Sequence, residues 1–164
     1  MPLGEEALAP EMLIEVQPKY PSGGTIVWEW RAWDHMIQDF DATKDNYGVI
    51  SNNPGKIDIN YERNLSKLEV DIHHVSGLDN NPTLYQIILS VHKFDEIWII
   101  DHSTTTAQAA TYSGGNSGRG GEILYRWGNP RTYGHGSRAD RKIKVVHHPQ
   151  WIPSDFTGAG NLLC

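Results

Sequence analysis

The chain of 164 residues has one cysteine, Cys164, at its last position. A single thiol makes no internal disulfide and no thiolate metal cage, so neither a cystine framework nor a cysteine zinc site holds this fold. Long apolar runs are missing too: the longest, such as Ile97-Trp98-Ile99-Ile100, reach about four residues, far below the ~20 that a membrane-crossing helix needs. No run of five basic residues occurs, and 14 Lys and Arg against 20 Asp and Glu give a formal net charge of −6. That sign repels phosphate and argues against nucleic acid as a partner. The opening MPLGEEALAPEM carries acids where an export signal carries Lys or Arg before an apolar run, so no signal peptide is expected. A sustained helical period is also wanting. The best helical stretch is Arg31 to Phe40, where Trp33, Met36, Ile37 and Phe40 recur at spacings of three and four, enough for one short helix or turn.

What is present is strand-like. TIVWEW (25–30), YQIILSV (85–91), EIWIID (96–101) and EILYRW (122–127) are short, rich in β-branched and aromatic residues, and bounded by Gly, Pro, Asn or Asp. The expected class is all-β, with a lead-in segment over residues 1–23, in which Met12 to Val16 packs as a lone strand or frays, and one domain over 24–164. Gly24-Thr-Ile-Val-Trp-Glu-Trp30 recurs in type as Gly121-Glu-Ile-Leu-Tyr-Arg-Trp127, 97 residues on. Two units of about 48 residues match the period of β-propeller blades, each a four-stranded antiparallel sheet. One blade reads directly from the sequence: HHVSGLD innermost, then YQIILSV, EIWIID and EILYRW, with the loop GGNSGRGG (114–121) leading into the last. The length holds only about three blades, whereas closed propellers have at least four. The apolar end, Asn161-Leu-Leu-Cys164, reads as the start of a further strand, and the open edges favour homo-oligomerisation.

Eight histidines are a rich supply of nucleophiles, proton carriers and metal ligands. The doublets His73-His74 and His147-His148 lie 74 residues apart, each ahead of an apolar or aromatic strand. Strand alternation lets only one member of each doublet face a given pocket, and His74 and His147 are the pair expected to converge. The same alternation weakens a metal site built from all four, so no metal is assigned. Trp28, Trp30 and Trp33 suit either inter-blade core packing or the stacking of an aromatic ligand. GGNSGRGG lacks the Gly-Lys-Ser/Thr ending of a phosphate loop, and Asn64-Leu65-Ser66 fits a glycosylation sequon that arises often by chance.

Four strings carry a resemblance: WEWRAWDHMIQDFDATKDNYG (28–48), HHVSGLDNNPTLYQIILSVHKFDEIWIIDHSTT (73–105), GGNSGRGGEILYRWGNPRTYG (114–134) and HHPQWIPSDFTGAGNLL (147–163). In order and spacing they resemble the arylsulfotransferase family of bacterial aryl-sulfate sulfotransferases. The resemblance implies a six-bladed β-propeller, of which this chain is a partial or truncated member. It implies transfer of a sulfuryl group from an aryl sulfate to a phenol through a sulfo-histidine, with no cofactor, and a periplasmic or secreted setting.

By motif, the family's Gln-His-Asp-Ala falls on Val146-His147-His148-Pro149, which makes His147 the expected nucleophile. His-Val-Asn-Ser falls on His74-Val75-Ser76-Gly77, so His74 is expected to orient or protonate. Leu-Ser-Ser-Arg falls on Leu89-Ser90-Val91-His92. His92 and Ser76 then stand at sulfuryl-binding positions, and His35 in Trp33-Asp34-His35 is a further pocket candidate, the alternative being a histidine that caps or packs on the Trp cluster. This chain departs from the family at Ser76 for Asn, His148 for Asp and His92 for Arg. The last replaces a fork that is always charged with a ring that is mostly neutral at pH 7. The implied partners are aryl sulfates and phenols; the alternative is a noncatalytic propeller fragment acting as a binding or assembly module.

Overall fold

Two of the longer paired stretches, Gly24–Arg31 and Glu96–Asp101, are ones in which β-branched and aromatic residues outnumber the rest. The computed structural model describes residues 9–61 and 71–164 and is all-β apart from short turns of helix. β1 (Met12–Pro18) and β2 (Gly24–Arg31) form an antiparallel pair. The expected lone strand therefore has a partner, and its Leu13 lies opposite Trp30. The Arg31–Phe40 stretch is not an α-helix: a 3-10 turn over Ala32–His35 leads into β3 (Met36–Ile37), which pairs in parallel with β4 (Ile57–Asp58). Met36 and Ile37 are both buried though adjacent, which extended backbone with alternating side chains permits and one helix face does not.

The centre of the molecule is an antiparallel meander of β5 (Val75–Asn81), β6 (Gln86–Val91), β7 (Glu96–Asp101) and β8 (Tyr125–Trp127), neighbours in that order. β9 (Gln150–Trp151) and β10 (Leu162–Leu163) form a second antiparallel two-stranded pair. The meander has the strand order read from the sequence, but its last strand is shorter than EILYRW. The Ile123 N–H donates to the Gly55 carbonyl at 3.0 Å instead of joining the ladder, so pairing with β7 is confined to Tyr125–Trp127. The repeat is correspondingly unequal: its first copy is a full strand beside β1, its second an edge strand of the meander. Among the described residues the strands form one four-stranded and three two-stranded sheets, with no closed propeller or barrel.

Both faces of the meander are covered. Ile87, Leu89, Val91, Trp98 and Ile100 pack with Trp28 and Trp30 of β2, while Ile88, Ile97 and Ile99 pack with Val146 and, at the rim, Ile143, Trp151 and Leu162. A central strand buried on both sides explains why EIWIID reads as a continuous apolar run. Removing a side chain such as Trp98, 1% exposed, costs about 3–5 kcal/mol. The Asn64-Leu65-Ser66 sequon lies outside the described residues.

Candidate functional site

The β6–β7 turn and the start of β5 bring histidines together by backbone pairing. Beyond the last rung of the ladder, the His92 N–H donates to the His74 carbonyl at 3.1 Å and the Lys93 N–H to the His73 carbonyl at 3.0 Å. A 3-10 turn over His92–Phe94 and a left-handed Asp95 (φ 54°) complete the reversal. The rings of His74 and His92 are consequently 5.4 Å apart, centroid to centroid, and the His147 ring lies 5.1 Å from His92 on its other flank.

His147 arrives from a distant segment that is fastened to β5 and to the turn. Ser76 is the extra residue of a β-bulge between Val75 and Gly77, and its hydroxyl donates to the Val146 carbonyl at 3.0 Å. A bulge re-aims a side chain out of the ladder, which frees Ser76 for this contact. At Gly77 any Cβ would lie 2.8 Å from Cα of His148, so the absence of a side chain lets the two backbones touch. Asp79 accepts from the Trp151 N–H at 3.0 Å. Asp95 accepts from the Val145 N–H at 2.8 Å and from Arg141 at 2.7 Å. Ser76, expected at a sulfuryl-binding position, thus has its hydroxyl engaged one residue before His147.

His74 is an exposed residue in the left-handed region (φ 54°). Asp71, three residues earlier, holds it twice: Oδ1 accepts the His74 N–H at 2.9 Å, and Oδ2 lies 2.5 Å from Nδ1. Partial burial works to raise the Asp71 carboxyl, but the hydrogen bonds from His74 and the charge of Lys93 outweigh it and hold the group below the ordinary carboxylate value. A carboxylate at Nδ1 fixes the proton there and leaves Nε2 as the free nitrogen of neutral His74. His92 is half-buried, and its enclosed Nδ1 has no hydrogen-bond partner. His147 and His148 are exposed. The arrangement is a row of three imidazoles with a carboxylate at one end and solvent at the other.

His73 turns inward to the Glu11 carboxylate and against Phe94 and Trp98 while His74 turns outward; the expected strand HHVSGLD begins only at Val75, and the left-handed His74 ahead of it parts the two side chains. His35 does not join the row. Its ring is wholly buried, stacked on Trp30 at 5.6 Å, with Nε2 2.8 Å from the Ala109 carbonyl. A ligand in the histidine row has no access to it, so His35 is a packing residue. Asp71 and Asp95 were not singled out from the sequence, although Asp71, spaced three residues before His74, was readable as a local side chain-to-backbone turn.

Two other sequence features resolve into structure. Trp28 and Trp30 are core residues, whereas Trp33 is exposed. In the glycine-rich loop, the anion held is the chain's own: the Asp101 carboxylate accepts N–H bonds from Ser103 and Ser117, both at 2.8 Å, and a Cβ at Gly115 would lie 2.6 Å from it. Among the described residues no group of three or more His, Cys, Asp and Glu is placed to hold a metal ion. No family model matches the chain, and neither the curated proteins nor the solved structures contain a match.

Proposed function

We propose that the histidine row is a group-transfer site that moves a sulfuryl group from an aryl sulfate to a phenol, with His147 as the nucleophile. The observation that carries the reading is the convergence of His74, His92 and His147 from three separate segments, with ring centroids 5.4 and 5.1 Å apart. It is joined by the resemblance in sequence motifs around those positions, which keeps the family's histidine at His74 and His147 and has His92 in place of its Arg. The neutral imidazole of His147 attacks sulfur, the bond from sulfur to the aryl oxygen breaks, and the proton shed by the other ring nitrogen neutralises the departing phenolate. In the return step the acceptor's oxygen attacks sulfur, the nitrogen–sulfur bond breaks, and the acceptor's proton ends on His147. His74, its tautomer set by Asp71, carries the proton between acceptor and His147. His92, whose ring centroid lies 5.4 Å from that of His74 and 5.1 Å from that of His147, is the donor to the sulfuryl oxygens through its other nitrogen, Nε2.

In the same reading the meander is one propeller blade. The β1–β2 pair and the C-terminal segment cover its two faces as neighbouring blades would.

The test is incubation with p-nitrophenyl sulfate, with and without phenol, followed by intact mass. Nitrophenol release that requires phenol, together with a sulfuryl-sized mass increment trapped when phenol is omitted, is the expected result. Both signals vanish in His147→Ala. A folded chain that gives neither signal overturns the transfer reading and favours a noncatalytic binding module.

A further inference from the structure

A second concavity, of about 810 Å³, lies over the segment 33–46 and is walled by Trp33, Phe40 and Tyr112 above a floor that includes Met36 and Ile59. It shares no lining residue with the histidine row. Trp33 is 55% and Phe40 90% exposed, so two large rings on one hollow are open to a ligand. Tyr112 is already occupied: its hydroxyl donates to the Asp34 carbonyl at 3.1 Å, and Lys56 Nζ sits 4.2 Å from its ring centre. Trp33 and Phe40 are the rings left for a ligand.

The polar groups around them decide its chemistry. Gln38 is used at both ends of its amide, accepting from the Phe40 and Asp41 N–H groups and donating to the Asp41 carbonyl and to Asn46. A sugar, which needs free neutral donors and acceptors, finds few here. Asp41 is tied to Thr43 through its backbone and hydroxyl, with the charge of Lys44 beside it. The carboxylates of Asp34 and Asp45, by contrast, line the hollow with no hydrogen bond or salt bridge of their own among the described residues. Two carboxylates that make no hydrogen bond or salt bridge, beside two open aromatic faces, match a cation with an apolar body even with Lys44 on the same lining, because the ring face and the carboxylate attract the same sign.

We infer that this hollow binds an organic cation, a substituted ammonium carrying alkyl or aryl groups, with Trp33 and Phe40 packing on it and Asp34 and Asp45 opposing its charge. The inference stands apart from the sulfuryl-transfer reading, since none of its residues belongs to the histidine row.

The experiment titrates the full chain with benzyltrimethylammonium and follows the Trp33 indole N–H resonance, with heat of binding as a second readout. Benzyl alcohol serves as the neutral aromatic control and benzenesulfonate as the anionic one. Saturable binding of the cation is expected, at least tenfold tighter than of either control and weakening as NaCl is raised. Trp33→Ala, at an exposed position that leaves the core intact, weakens binding about tenfold. Asp34→Asn with Asp45→Asn keeps the rings but removes the preference for the cation over benzyl alcohol. Equal binding of the neutral control by the unaltered chain, tighter binding of the sulfonate through Lys44, or an absence of saturable binding each overturns the proposal.

Discussion

The turn 92–95 separates two polar clusters that treat their hydrogen-bonding groups in opposite ways. On the β7 side, Glu96 is fully buried and every bond it can make is made. Arg126 reaches both carboxylate oxygens, with Nη2 2.6 Å from Oε2, while Trp98 Nε1 donates at 2.7 Å and the Thr132 hydroxyl at 2.7 Å. Arg126 is satisfied in turn by the carbonyls of Pro54 and Lys56 and lies over the Tyr133 ring, 4.5 Å from its centre. On the β5 side, His74 and His147 are exposed and His92 keeps a nitrogen without a partner. A saturated network has one arrangement and contributes to specifying the fold. The exposed imidazoles of His74 and His147 have bonding capacity left over for something outside the chain.

Glu96→Ala gives the largest effect. It strands the Arg126 guanidinium, whose side chain is 4% exposed, and an uncompensated buried charge costs about 3–5 kcal/mol. In a chain of this size that lowers Tm by at least about 6 °C, measurable by calorimetry. Replacing both partners, Glu96→Leu with Arg126→Met, should restore much of the loss, since the desolvation penalty goes with the charges. His147→Ala, on the exposed side, should leave Tm within about 2 °C, because surface changes of this kind stay near ±0.5 kcal/mol. If the two substitutions lower Tm equally, the contrast between the clusters is wrong.

Next in size is Asp71→Asn, which bears on the exposed cluster alone. The amide keeps an acceptor for the His74 N–H but no longer favours a proton on Nδ1. Nitrogen NMR of His74 should show the neutral ring shifting toward the Nε2–H tautomer. Under the transfer reading, turnover falls about 10²-fold, the scale of a misdirected proton carrier. An unchanged tautomer would remove Asp71 from its positioning role whether or not the chain is active.

How much of this could be read beforehand depended on the range of the interaction. β6 and β7 were legible because IWII and QIIL are short β-branched runs between turn residues, and their order followed from hairpin-length connections. The end of β8 was legible and its beginning was not, since nothing local announces that Ile123 bonds to Gly55. That only one histidine of the His73-His74 doublet reaches the row was expected from alternation, but the two lie ahead of β5 and His74 is left-handed, so a turn and not a strand sets their directions. His147 was singled out by the repeated doublets, and His92's place beside it came only through the family resemblance. Ser76 was placed correctly in the chain, but the bulge that turns its hydroxyl to Val146 depends on register, which a strand pattern alone does not specify. Glu96 and Arg126 sat in recognised strands, yet their pairing across 30 residues required the β7–β8 register.

His35 takes the packing alternative rather than the pocket one and supports the smallest prediction. Trp33-Asp34-His35 looks like a pocket motif, but the ring's partner is the carbonyl of Ala109, 74 residues on, beneath Trp30. Burial is the dominant influence and holds this imidazole below its ordinary value, the hydrogen bond and neighbouring carboxylates opposing it only in part. The enclosed Nδ1, lacking any acceptor, points the same way, because protonating it would create a buried donor with nowhere to donate. The unfolded chain therefore takes up a proton first as the pH falls. The stability owed to neutral His35 is complete above about pH 6.5 and declines as the pH drops from there toward the folded-state value. Denaturant midpoints measured from pH 7.5 to 5 should show this decline in the native chain and a shallower one in His35→Gln, where nothing titrates at that site. An identical slope in the two proteins would mean that the acid sensitivity comes from elsewhere, and that Trp30 shields a ring with more freedom to find a partner than its packing indicates.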